Sequence, residues 1–117
     1  MSVDKMNRIQ TRLQAVQEKQ TQIKRDLVQH EQLEEHFFEI HKRGDRLFTR
    51  LYDVWHEDEE LMDIIEQDRI ELMTNKRKII NDLREKKNEL LKEKRELSYA
   101  GEELYDLKRA IDREEEA

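Results

Sequence analysis

Four histidines and 29 acidic residues are the groups in this chain best able to hold a metal or move a proton. A helix brings side chains three or four residues apart onto one face, so two histidines at that spacing, joined by a thiolate or carboxylate, would form a metal site. His30, His36, His41 and His56 lack that spacing among themselves, and the chain has no cysteine. His30 and Glu34 do stand four apart, a pairing that chance supplies in so acidic a chain. Carboxylate pairs such as Glu59 and Asp63 read as surface charges, since a general acid or base needs a concave, dehydrated site. No phosphate-binding glycine loop is present. The sequence therefore predicts no catalytic residues, no metal and no cofactor. Tyr99 and Glu103 form a different constellation: one helical turn apart, they offer an aromatic ring and a carboxylate that a receptor could read from one face. The plain alternative is an i,i+4 surface pair.

The elements that carry these residues follow from composition. The 117 residues include no proline and only two glycines, Gly44 and Gly101, while 44% are charged and 35% hydrophobic. Sheets and barrels need frequent Gly/Pro turns, so this usage points to an all-α fold of long, coiled-coil-like helices. So little apolar material can fill a narrow seam but not a broad core. The net charge of −6 arises entirely after residue 57. Residues 72–95 hold nine Lys/Arg, but Asp82, Glu85, Glu89 and Glu93 are interleaved and aromatics are lacking, which argues for a solvated helix face rather than nucleic-acid binding. No apolar leader and no run of about 20 apolar residues is present, so the expectation is a cytoplasmic chain without membrane insertion.

Apolar residues recur at alternating spacings of three and four from Ile9 to Ile111, through Leu13, Val16, Ile23, Leu27, Phe37, Phe48, Leu51, Trp55, Met62, Ile65, Leu72, Ile79, Leu83, Leu90, Leu97, Leu104 and Leu107. This is the heptad pattern of packed helices. Polar residues at the same positions, His30, Glu34, His41 and Arg69 among them, read as register control. In the middle the stripe widens: Leu33, Ile40, Leu47, Val54 and Leu61 repeat every seven residues, each just before a core position. A two-helix seam has no use for that column, whereas a three- or four-helix assembly does. The expected partner-binding surface is therefore Leu33, Phe37, Ile40, Leu47, Phe48, Leu51, Val54, Trp55, Leu61 and Met62, with internal packing as the plainer use of each aromatic.

The register alone does not separate one continuous helix from a hairpin. An unbroken helix would be about 175 Å long, and hairpin arms roughly 80 Å. A bend at about 55–58 is preferred, with helices over about 4–54 and 58–114, because Asp58 can cap a second helix and the acids of Glu57-Asp58-Glu59-Glu60 suit its positive end. Arg43-Gly44-Asp45 offers the competing turn, with glycine ending one helix and aspartate opening the next. The central bend would set Gly44 opposite Arg69 and Phe37 opposite Lys76, with Glu34 able to pair with Lys76.

Trp55-His56-Glu57-Asp58-Glu59-Glu60-Leu61 and the charged helix up to Glu103 resemble the WXG-type small proteins of bacterial type VII secretion. More closely, they resemble the small helical partners encoded beside LXG toxins. Glu57 stands where the WXG pattern has its glycine. The resemblance implies a non-enzymatic adaptor or targeting chaperone that binds the helical N-terminal LXG domain of a toxin, with a second small helical protein as a further component. It also implies co-secretion with that partner, and makes Tyr99-Ala100-Gly101-Glu102-Glu103 a match to the Tyr-x-x-x-Asp/Glu export signal. The alternative reading is a homodimeric coiled-coil stalk, similar to those of export ATPases.

Overall fold

The structure is a computed structural model that describes residues 2–116. Two helices account for nearly all of it, α1 (Ser2–Trp55) and α2 (Glu59–Glu116), packed antiparallel as a hairpin. Without proline, nothing in either helix interrupts the backbone ladder. α1 runs straight through Arg43-Gly44-Asp45, where the competing turn would have been.

The chain reverses at His56–Asp58. The Asp58 amide donates to the Trp55 carbonyl at 3.0 Å, and the His56 Nδ1–H donates to the Asp53 carbonyl at 3.0 Å, which satisfies acceptors at the end of α1. Asp58 then caps α2: its Oδ1 accepts from the Leu61 amide at 3.1 Å and its carbonyl accepts from the Met62 amide at 2.9 Å. Glu59 and Glu60 occupy the first turn, where the helix dipole favours negative charge. Among the described residues none has positive φ, so the turn closes without a glycine.

The packing divides into two compact units. The first comprises Met1–Val28 and Lys87–Ala117. Its core is Ile9, Leu13, Leu104 and Ile111, with Met6 and Val16 packed against them, and Ile23 and Leu90 are also buried. Removing each of these branched side chains from water contributes about 2 kcal/mol. Gly101 faces α1 with room for a side chain: a β-carbon there would stand 3.7 Å from Val16 Cγ1, an ordinary van der Waals contact.

The second unit, Gln29–Lys86, is held differently. Its only buried apolar side chain among the described residues is Ile65, and the other buried positions are His30 and His41. His41 packs edge-on against Phe37 with ring centroids 4.5 Å apart. His30 Nε2 lies 3.0 Å from Glu34 Oε1 without hydrogen-bond alignment. Glu34 is thus engaged on its own helix rather than with Lys76.

The facing register also differs from the expected one. Gly44 packs against Leu72, 3.6 Å from where its β-carbon would be, and not against Arg69. The three-residue turn moves each layer by about a helical turn. In heptad terms, with a and d in the seam and e and g beside it, α2 is rolled toward its e column. Ile80 and Lys108 are half-buried and Gly101 is buried, whereas Ile79 and Leu107, expected in the seam, are exposed.

Candidate partner-binding surface

The roll gives the Gln29–Lys86 unit two unlike faces. On the e side, α1 and α2 close on each other through polar groups. The Tyr52 hydroxyl donates to the Glu66 carboxylate, and the Arg69 guanidinium sits over the Tyr52 ring at 5.9 Å from its centre and 4.0 Å from Glu66. The carboxylate as hydrogen-bond acceptor, followed by partial desolvation and its negative charge, pushes the Tyr52 phenol above its ordinary value, with Arg69 opposing. Beside this cluster runs an open groove of about 520 Å³ over Phe48, Leu72, Met73 and Ile80, edged by Lys76 and Arg77.

On the opposite, g side, nothing closes. Leu33, Ile40, Leu47 and Val54 are 55%, 52%, 56% and 67% exposed, one column of branched apolar side chains at seven-residue spacing. On a helix, that spacing places them in line along the face. Trp55 at the end of α1 is also exposed. Phe37, Phe48, Leu51, Leu61 and Met62 are half-buried, so their inner edges belong to the seam. Of the ten expected contact residues, then, five lie on the open surface and five are shared with internal packing.

Sequence periodicity did not single out Ile64, Ile70 and Met73, exposed apolar residues of α2. The run Leu61-Met62-Asp63-Ile64-Ile65 carries the signal for Ile64, since adjacent apolar residues on a helix cannot all face one seam. Among the described residues, this unit contains ten of the sixteen large exposed apolar side chains and one of the seven buried ones, so its apolar surface exceeds what its own two helices cover.

Tyr99 and Glu103 are both exposed on α2 within the other unit, Tyr99 at 65%. Tyr105, by contrast, accepts a hydrogen bond from Gln17 Nε2 of α1 at 3.3 Å. Among the described residues no three metal-ligating side chains converge, and no helix is long and apolar enough to cross a membrane.

A family model described as "Protein of unknown function (DUF3958)" matches residues 4–111. Neither the curated proteins nor the solved structures include a match to the chain.

Proposed function

This chain belongs to the DUF3958 family, and for it we propose a non-enzymatic role as an adaptor that docks a helical protein partner on the open face of its central unit. The observation that carries the reading is the Leu33, Ile40, Leu47 and Val54 column, more than half exposed along about 32 Å of helix. A solvent-exposed apolar strip of that length lowers solubility unless something covers it, and a third helix laid along it would complete a bundle. The resemblance of Trp55–Glu103 to the partners of LXG toxins supports taking that partner to be the helical N-terminal LXG domain of a toxin, presented by the complex to the type VII secretion apparatus, with Tyr99 and Glu103 as the export signal.

Co-expression with the helical N-terminal domain of an LXG toxin from the same genome tests it. Wild type co-purifies with that domain. Leu47→Asp with Val54→Asp abolishes the complex while circular dichroism retains most helicity, because both side chains already face solvent in the free chain. Undiminished co-purification of the double variant would remove the open face from the reading.

A further inference from the structure

The borders of the apolar column differ in net charge, basic on the α1 side through Arg43 and Arg50 and acidic on the α2 side. On the outer side of α1, His36, Arg43 and Arg50 run beside Leu33–Val54 at the same seven-residue interval. On the α2 side, Asp68, Asn75 and Asp82 form the g column, with Glu71, Lys78 and Glu85 next to it, four acids against one base. The Tyr52–Glu66 contact fixes which residues share a height along this unit. By that register His36 is level with Asp82, Arg43 with Asn75 and Arg50 with Asp68.

A two-fold axis laid along the column would keep every residue at its own height and exchange its left and right borders. Arg50 of one copy would then meet Asp68 of the other, and His36 would meet Asp82, each twice over. A two-fold axis across the column would instead set arginine against arginine and aspartate against aspartate, which repels. With the axis along the column the two copies overlap over about one helix width, roughly 10 Å by 32 Å, so self-pairing would bury about 650 Å² in total, the size of a weak contact that a larger partner interface displaces. Arg43 is already 3.6 Å from Glu39 on its own helix, an exposed pair that yields at little cost.

We propose that, in the absence of its partner, this chain covers its apolar column with a second copy in parallel alignment, and that the partner displaces this copy. The inference rests on the reading of this column as the docking face.

Sedimentation equilibrium of the purified full chain tests it, with no partner present. The expected result is a dimer that weakens as salt is raised, since the flanking pairs are exposed to screening. Leu47→Asp gives a monomer with unchanged helicity. Arg50→Glu and Asp68→Lys, both at exposed positions, each weaken the dimer about tenfold, and the double reversal restores it. A monomer at concentrations up to about 0.1 mM would overturn the inference, as would a dimer indifferent to Leu47→Asp or a double reversal that fails to restore association. A monomeric chain that still binds the LXG domain through the column would discard self-covering alone and leave the adaptor reading standing.

Discussion

Tyr52 shows how one residue joins α1 to α2 where apolar burial is thin. Its ring is half-buried beside the seam, its hydroxyl donates to Glu66, and Arg69 lies over its face. Because the neutral phenol is the form that donates, its folded pKa lies above 10.0. The sign follows from linkage: the contribution of this hydrogen bond is present below the unfolded value and is lost as pH rises through the raised folded value. Ultraviolet titration of phenolate should therefore show a step above 10 that disappears in Tyr52→Phe. Glu66→Gln should bring the Tyr52 step back toward 10, because the charged acceptor is gone. A step that stays put in Glu66→Gln would assign the shift to burial. Sequence gave no warning of this cluster, since Tyr52 and Glu66 are fourteen residues apart and meet only because the turn sets the register. His30 and His41, by contrast, were visible as polar seam residues, and both are buried there.

At the scale of elements, the two glycines illustrate how far local chemistry can mislead. Gly44 beside Asp45 has the form of a helix end followed by a helix start, yet α1 passes through it with ordinary negative φ. The competing signal won because Asp58 caps α2 with both its side chain and its carbonyl, while Glu59 and Glu60 reinforce the same terminus. The heptad stripe predicted the seam of α1 well, since it depends on spacing alone. It failed by one residue at Ile79 and Leu107, because the roll of a helix about its axis depends on what packs opposite, which spacing does not encode. Neither glycine is needed for a turn. A β-carbon at Gly44 would lie 3.6 Å from Leu72, and one at Gly101 would lie 3.7 Å from Val16, both ordinary van der Waals contacts. Gly44→Ala and Gly101→Ala should therefore each stabilise the fold by about 0.5–1 kcal/mol, through the entropy that glycine loses in a helix interior. Thermal unfolding measures this, and a drop in midpoint for Gly101→Ala would mean that the helices cannot yield the space.

For the molecule as a whole, the two units differ in what they bury and what they expose. Among the described residues, one unit buries six of the seven core apolar side chains and carries Tyr99 and Glu103, whereas the other exposes the apolar column. The fold class and the widened stripe were legible in the sequence because both are matters of periodicity. The identity of whatever covers the stripe was not, because four branched side chains at seven-residue spacing fit many helices. On the proposed reading, this separation makes export and docking independently removable. Tyr99 is exposed on α2 and four residues before Glu103, so Tyr99→Ala leaves every residue of the column in place. As a surface pair the two contribute at most about 0.5 kcal/mol to the helix. If the pair is the export signal, Tyr99→Ala should abolish secretion of the bound toxin while the complex stays at wild-type abundance. Tyr105→Ala serves as the comparison, since Arg109 stands four residues on and the ring already contacts Gln17 across the hairpin. That variant should cost some stability and leave secretion intact. Equal secretion from wild type and Tyr99→Ala, at equal complex abundance, would reduce Tyr99 and Glu103 to surface residues of α2 and place the export signal on the partner.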